Sequence, residues 1–461
     1  MQSPITAFFI VRILGYSSVS GVFFFASAIK ARFTFFILRK NNVLTLFKAN
    51  MKKTLTYCLL AGAGLFISAC GLLEDSIAEK SASNAWEFGL DLAFLEKYAD
   101  CIVLGENESF VAVSPKLQAR VMTSTLSGDG GYSMGWINRN LIASGERESH
   151  GNLYGGEDRF WIGPEGTDHS VFFEKDALFV PDNWKIPQDI SSEPWKVKSK
   201  NRHQASFEKE ISLKNAKGEN IKILASREIT YITKENAKMI LDTEIPETVK
   251  MVAFQSVNKI TNKGEKPWGE KSGLINLAVV STFHANKSTY AFLPFNQGSP
   301  KDIGSIITDM YNESPIGDRL SVASDFVRMR MDGSKLGEIF MNPKRTRNIL
   351  GAYDSDQNLL TIITFVPPPA PAKYIAPYWR RTNDMLDGDA VSIFNNGPAN
   401  HDTFYADKFF KTSTFSPALA LEPQKSQLHI QRTFHFKGSE YELEKIAQKL
   451  LGVSMKQLRP E

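Results

Sequence analysis

Cysteine and histidine are both scarce in this chain, which removes two common sources of stability and chemistry. Three of the 461 residues are cysteine, too few for a disulfide framework, so a large core must stabilise the fold. The seven histidines show neither H-x-H nor H-E-x-x-H spacing. His429 and His435 fall on one predicted strand, where six residues at ~3.4 Å each would hold them about 20 Å apart. No metal site is predicted. Calcium binding by loop carboxylates is an open alternative that no sequence motif indicates.

Long uninterrupted apolar runs are missing from the first 50 residues. Two Phe-rich runs there are broken by Arg12, Lys30 and Arg32, and neither reaches the roughly 20 apolar residues of a membrane span. Because a complete signal follows them, we interpret residues 1–50 as translated upstream sequence. A true N-terminal anchor is the alternative.

Residues 51–70, MKKTLTYCLLAGAGLFISAC, have the three parts of a secretory signal: a basic start, an apolar stretch and a small-residue cleavage site. The last four residues, ending at Cys70, resemble a bacterial lipobox, which implies that the sulfur of Cys70 is acylated. The sequence therefore predicts a signal peptide at 51–69, a lipidated Cys70 with a polar tether to residue 83, and one domain at 84–461. Acyl chains contribute about 0.8 kcal/mol per buried methylene, so Cys70 is expected to hold the protein on a membrane.

Acidic residues are absent from the first 69 positions, which carry eight Lys or Arg. The remaining chain has 46 basic and 50 acidic residues, a net charge of about −4, although the whole chain is +4. Nucleic-acid binding therefore loses its electrostatic support. We expect a monomer in the cell envelope, on the periplasmic side or at the cell surface.

Helical periodicity is confined to the two ends of the predicted domain. One helix is predicted over 85–100 after an Asn84 cap, and another over 439–453 with Ser439 as cap and an apolar stripe of Tyr441, Ile446 and Leu450. Between them, short β-branched or aromatic segments bounded by Gly, Pro, Asn or Asp predict strands. They are residues 101–106, 109–114, 120–126, 169–175, 221–233, 274–285, 325–331, 359–366 and 428–436. This pattern favours antiparallel sheets packed face to face over a parallel α/β sheet.

Gly131–Gly135 form a G-x-S-x-G string around Ser133, the pattern of a nucleophile elbow in an α/β-hydrolase. The chain between Cys70 and Ser133 offers only about 60 residues for the preceding strands, and no helical stripe follows. A glycine-rich hairpin leading into a strand is therefore favoured, and a serine hydrolase is the minor alternative.

Residues 154–166, YGGEDRFWIGPEG, combine groups that a sugar site needs. Glu157 and Asp158 can accept hydroxyl protons, Arg159 donates through a planar fork, and Trp161 can cover a sugar ring. The two preceding glycines allow close approach of the backbone. The structural alternative is an Arg–carboxylate pair that staples a turn, with Trp161 in the core.

Several stretches resemble a known family when taken together. GLDLAFLEKY, ARVMTST, GYSMGWIN, HGNLYGGEDRFWIGPEG, NKITNKGEKPW and SPALALEPQKSQLHIQRTFHFKG resemble a family of uncharacterised bacterial lipoproteins, similar in turn to the aldose 1-epimerase (galactose mutarotase-like) supersandwich. The resemblance runs from about Asn84 to Val453. It implies a mainly β, large antiparallel supersandwich with a short N-terminal and a C-terminal helix, and places the sugar-binding arginine at Arg159.

The chain departs from this family where catalysis is concerned. Mutarotation needs one group to take the anomeric proton and another to protonate the ring oxygen, and epimerases supply a histidine in a His-Pro-Tyr-Phe-Asn-type segment. No such segment is present here, so catalytic roles are not carried over. By chemistry and position alone, the catalytic candidates are His150 as acid and Glu157 or Glu165 as base. The substrate-binding candidates are Asp158, Arg159, Trp161, Trp379, Asp389, Asn395 and Asn396.

The sequence thus predicts a lipid-anchored, extracytoplasmic protein that binds or modifies a carbohydrate, with no cofactor. Epimerase-like or isomerase-like turnover is left open. A non-catalytic glycan-binding module and a structural envelope lipoprotein, in which Arg159 only staples its turn, are the alternatives. Two facing titratable groups with displaced pKa values would indicate an enzyme.

Overall fold

The computed structural model describes residues 10–13, 20–25, 34–37, 86–146, 153–309, 317–369, 371–376, 385–398 and 408–459. Contacts divide the chain into two units, Met1–Ala82 and Ser83–Glu461. In the first unit, β1 (Ile10–Ile13), β2 (Ser20–Phe25) and β3 (Thr34–Ile37) form an antiparallel sheet. The predicted signal peptide and tether lie outside the described residues. Among the described helices, none combines the length and apolar character needed to cross a bilayer.

A ten-stranded antiparallel sheet dominates the second unit. Its strands, from one edge to the other, are β15 (Leu320–Val322), β16 (Phe326–Arg330), β13 (Thr289–Pro294), β18 (Ile349–Asp354), β19 (Leu359–Phe365), β22 (Ser426–Lys437), β11 (Lys250–Asn262), β10 (Asn220–Tyr231), β9 (Gln204–Lys214) and β8 (Lys196–Lys200). Along β10, buried positions alternate with more exposed ones. This period of two is expected where one sheet face meets a core.

A six-stranded antiparallel sheet packs on the large sheet. Its order is β14 (Thr308–Asp309), β17 (Gly337–Met341), β20 (Val391–Asn395), β21 (Phe409–Phe415), β12 (Asn276–His284) and β7 (Arg159–Gly163). Phe160 and Ile162 of β7 join Phe207 and Ile223 of the large sheet in one buried cluster. The main core therefore lies between the two sheets. The prediction of a mainly β chain with large antiparallel sheets packed face to face is confirmed.

A three-stranded sheet and several helices complete the second unit. The sheet comprises β4 (Ile102–Glu106), β5 (Ser109–Ser114) and β6 (Arg120–Thr125). The helices are α1 (Phe88–Tyr98), α2 (Arg139–Ser144), α3 (Lys234–Leu241), α4 (Pro300–Ile303), α5 (Glu440–Leu451) and α6 (Met455–Leu458), with 3-10 turns at Pro181–Asn183, Gln188–Ile190 and Gly317–Arg319. Phe88 and Leu95 of α1 pack against Met122 of β6.

Two predictions about the terminal helices are wrong. The N-terminal helix begins at Phe88 with Glu87 at the cap position, so Asn84 does not cap it. Ser439 does cap α5, in a capping box with Glu442. Tyr441, however, is 67% exposed and does not belong to the buried stripe.

Residues 169–175, predicted as a strand, form turns and bends instead. The aromatic content that suggested a strand serves local packing. The Phe172 ring lies 5.1 Å from the Trp161 ring and 5.5 Å from the Trp184 ring, centre to centre.

Candidate functional site

Two glycines determine how the chain enters β7. Gly155 and Gly156 have φ values of 82° and 102°, in the region that residues with side chains rarely adopt. A Cβ on Gly155 would lie 2.0 Å from the Trp136 carbonyl oxygen. The backbone therefore passes tightly against its neighbours before the regular alternation of the strand begins at Arg159.

Glu157 lies in the interior between the sheets. Its side chain is fully buried, and its Oε2 accepts a hydrogen bond from Ser124 Oγ at 3.0 Å and lies 2.9 Å from His435 Nε2. The other ring nitrogen of His435 lies 2.8 Å from Thr361 Oγ1. Glu157 thus belongs to an internal network that reaches the large sheet.

Asp158 is also fully buried. It forms an ion pair with Arg227 of β10 and accepts a hydrogen bond from Ser256 Oγ of β11 at 2.7 Å. Burial raises the pKa of Asp158, and Arg227 opposes that rise. The prediction that Glu157, Asp158, Arg159 and Trp161 together form a sugar site is therefore wrong, because the two acids point into the core.

Arg159 and Trp161 lie on the opposite, outward face of the six-stranded sheet. The Arg159 guanidinium carbon is 3.9 Å from the centre of the Trp161 ring, and Trp161 Nε1 donates to Glu165 Oε1 at 3.0 Å. Trp161 is 6% exposed, so its ring supports the guanidinium and does not offer an open plate to a sugar. Burial lowers the pKa of Arg159 to about 10, against the opposing charge of Glu165.

Strand register brings further charged groups to this outward face. Arg159 pairs with Val280, which pairs with Ser413, which pairs with Ser392. In the next row, Lys411 pairs with Phe394 and Phe394 pairs with Glu338. Paired residues of antiparallel strands share a face. Arg159, Glu165, Glu338 and Lys411, all partly exposed, are named here the outward cluster.

Sequence reasoning missed Glu338 and Lys411. Ser392 Oγ donates to Glu338 Oε1 at 3.0 Å, and Lys411 Nζ lies 3.9 Å from the centre of the Phe394 ring. Burial raises the pKa of Glu338 to about 7, with Lys411 and Ser392 opposing the rise and Glu165 adding to it. Burial lowers the pKa of Lys411. The available signal was a single charge within each of two otherwise apolar or neutral strands.

Asp389, Asn395 and Asn396, which the sequence also predicted to bind substrate, do not belong to the outward cluster. Asn395 is fully buried, where its Oδ1 accepts from the Gly333 amide at 3.1 Å and its Nδ2 donates to the Lys335 carbonyl at 2.7 Å. It holds a turn between β16 and β17. Asp389 and Asn396 are buried as well. The predictions for His150, Trp379 and Cys70 fall outside the described residues.

Ser133 does not occupy an exposed nucleophile elbow. It is fully buried, donates to Asp91 Oδ2 at 2.5 Å and lies 2.6 Å from Thr123 Oγ1. Backbone bridges follow it at Gly135 and Ile137, and the short helix α2 begins only at Arg139, in a stretch where the sequence predicted no helix. The sequence favoured a glycine-rich hairpin leading into a strand. The structure has isolated backbone bridges there and no continuous strand.

Two of the cavities between described residues are lined by residues other than the outward cluster. One, of about 20 Å³, lies beside Tyr132, His284 and His435. The other, of about 590 Å³, lies beside Trp268 and Lys373. Within the same described ranges, His, Cys, Asp and Glu side chains form no group of three or more that could bind a metal ion.

These features define a mainly β protein of stacked antiparallel sheets with charged groups converging on the outward face of the smaller sheet. Residues 86–460 match the model of a family of unknown function (DUF6786), and the chain belongs to that family. No curated protein matches it.

Solved structures similar to this chain include galactose mutarotase-like proteins, as the sequence resemblance implied. The Slr1438 protein from Synechocystis is 10% identical with a TM-score of 0.45, over 74% of this chain and 98% of that one. A galactose mutarotase related enzyme from Lactobacillus acidophilus is 8% identical with a TM-score of 0.39, over 74% and 98%. A galactose mutarotase-like protein from Lactobacillus casei is 10% identical with a TM-score of 0.37, over 73% and 99%. Likeness at this level assigns no activity to this chain.

Proposed function

We propose that this protein binds or modifies a carbohydrate at the outward cluster. The supporting observation is the convergence of two cations, Arg159 and Lys411, with two carboxylates, Glu165 and Glu338, on one partly exposed sheet face. A sugar hydroxyl both donates and accepts hydrogen bonds, so a saccharide can use guanidinium, ammonium and carboxylate groups together. Glu157 and Asp158 take no part, because both are enclosed in the core.

The structural alternative, in which Arg159 only staples its turn, predicts a guanidinium satisfied by nearby acceptors. Instead, Arg159 Nε and Nη2 are shielded and have no hydrogen-bond partner among the described residues. Two arginines with structural roles do have acceptors. Arg227 forms an ion pair with Asp158, and Arg345 donates to the Gly304 carbonyl oxygen. The contrast favours a ligand-binding role for Arg159.

Turnover is favoured over binding alone by the state of Glu338. A carboxyl whose pKa stands at about 7 exchanges protons readily near neutral pH, as a general acid or base must. We assign Glu338 that role, with Glu165 close enough to act on it electrostatically. Glu338→Gln is expected to retain saccharide binding and to lose any conversion of the bound sugar.

A glycan array probed with the full chain in detergent micelles tests the proposal. We expect wild type to bind a defined set of saccharides and Arg159→Ala to lose that binding by at least tenfold, with its circular dichroism unchanged. The control is Arg432→Ala on the large sheet, where the arginine donates to Gln255 at 2.8 Å, and it should bind as wild type does. Absence of saccharide binding by wild type would refute the carbohydrate proposal.

We further propose that acyl chains on Cys70 hold the protein on the extracytoplasmic side of a membrane. The support is the register of basic start, apolar stretch, small residues and cysteine over residues 51–70. Cys70→Ser is expected to move the protein from the detergent phase to the aqueous phase in Triton X-114 partitioning, whereas Cys101→Ser should not. Equal partitioning of wild type and Cys70→Ser would rule out the lipid anchor.

A further inference from the structure

We infer that the outward cluster binds an acidic saccharide, a sugar that carries a carboxylate, and that Arg159 holds this carboxylate through two parallel N–H groups. This inference rests on the proposed function and narrows it to one substrate class. It follows from the hydrogen-bond state of Arg159, from its fixed orientation and from the second cation nearby.

The two unpartnered nitrogens of Arg159 belong to the same edge of the guanidinium. Nε and Nη2 together form its side-on fork, whose two N–H groups match the spacing of the two oxygens of a carboxylate. Both are shielded and lack an acceptor among the described residues. Arg120 and Arg227 likewise have an Nε without a partner, but in both the terminal nitrogens are bonded. An empty pair on one edge sets Arg159 apart from these structural arginines.

Stacking fixes the direction of that edge. The guanidinium carbon lies 3.9 Å from the centre of the Trp161 ring, and Trp161 is itself tied to Glu165 through its indole N–H at 3.0 Å. A preorganised fork loses less conformational freedom when it binds an anion. The edge is shielded from solvent, so an entering carboxylate reaches it only when the atoms that cover it move, and the carboxylate then supplies the acceptors that the two donors lack.

The charges around Arg159 suit an anion. Lys411 of β21 is close enough to Arg159 for each positive charge to disfavour the other, and a bound carboxylate would relieve that repulsion. Of the two carboxyls, Glu165 already accepts from Trp161, and Glu338 accepts from Ser392. Because the pKa of Glu338 is about 7, a substantial fraction of this group is neutral near physiological pH and does not repel an anion.

This arrangement couples binding to protonation. A ligand carboxylate beside Glu338 disfavours the ionised form of Glu338. Reciprocally, ionised Glu338 lowers the affinity for that ligand. The other charged groups that act on Glu338 are Lys411 and Glu165, and Arg159 acts in turn on Lys411. Deprotonation of Lys411 would also lower the affinity for the acidic sugar as pH rises. Affinity for the acidic sugar is therefore expected to fall as pH rises through about 7, and affinity for a neutral sugar to change little.

Isothermal titration of the full chain in detergent with matched sugars tests the inference. The probes are galacturonic acid and galactose, each as monomer and trimer, with galactose 6-sulfate and galactose 6-phosphate as other anions. We expect the uronates to bind at least tenfold tighter than their neutral partners at pH 6, and that ratio to shrink at pH 8. Arg159→Lys keeps the charge but loses the fork, and should abolish the uronate preference by lowering uronate affinity to the level of galactose affinity in the same variant. Arg432→Lys, the control, should behave as wild type.

Each alternative outcome is decisive. Equal affinity for galactose and galacturonic acid would overturn the acidic-sugar inference and leave the carbohydrate proposal intact. Preference for the sulfate or phosphate ester would overturn the carboxylate assignment, since those groups are tetrahedral. Retention of the uronate preference in Arg159→Lys would overturn the role of the fork. Failure to bind any probe, together with an empty glycan array, would remove both proposals.

Discussion

Adjacent residues in this protein have opposite environments, and the difference decides which of them can act. Asp158 lies in the core against Arg227, whereas Arg159 lies on the outward face of β7. The buried pair joins the segment that leads into the small sheet to β10 of the large sheet. Its role is to connect the two sheets, not to bind a ligand.

Arg227→Met is expected to lower the free energy of unfolding by about 3–5 kcal/mol, because it leaves Asp158 buried without its partner. The double variant Asp158→Asn/Arg227→Met should recover a large part of that loss, since no uncompensated charge remains. Urea denaturation followed by tryptophan fluorescence measures both. A single variant within about 1 kcal/mol of wild type would show that the pair does not connect the sheets as described.

At the scale of one element, the turn before β7 determines which side chains face inward. Gly155 and Gly156 pass against Trp136 and Arg120 with no room for a Cβ. Arg159 lies outside the core, whereas Glu157 and Asp158, which the sequence grouped with it, lie inside. Predicting which side chains face inward depends on the regular alternation of side chains along a strand. Here that alternation begins only at Arg159. The sequence therefore could not show whether the two preceding acids face the core or the solvent.

Gly155→Ala should therefore destabilise the protein by more than backbone preference alone explains. A Cβ there would lie 2.0 Å from a backbone carbonyl oxygen, whereas one on Gly145 would meet nothing within 4 Å, although both glycines have positive φ. Gly145→Ala is the matched control and is expected to cost about 1 kcal/mol. Gly155→Ala should cost at least twice as much by urea denaturation. Equal losses would mean that the close approach has no energetic importance.

Elsewhere, element prediction succeeded where period and composition agreed and failed where aromatic residues had another use. Residues 109–114 were predicted as a strand and form β5. Residues 169–175 have similar apolar content but form turns, because Phe172 packs between Trp161 and Trp184. Composition alone does not distinguish these cases, since the partners of Phe172 are tertiary contacts.

At the scale of the whole molecule, the stacked antiparallel sheets were predictable and the outward cluster was not. Frequent short strands with no long helix between them define the class. Along the chain, however, strands β18 and β19 of the large sheet lie between Glu338 and Lys411. The two residues come close because β20 lies between β17 and β21 in the small sheet. The order of strands in a sheet is not encoded in local periodicity, so the outward cluster could not be predicted from the sequence.

The position of β22 has a consequence for synthesis. Among the described strands it is the last to be synthesised, yet it lies between β19 and β11 in the interior of the large sheet, with Lys437 opposite both Leu359 and Lys250. Until it arrives, a nascent chain holds two half-sheets, each with a bare edge that can pair with another polypeptide. A premature stop codon just upstream of Ser426 would thus divide the large sheet into two separate groups of strands.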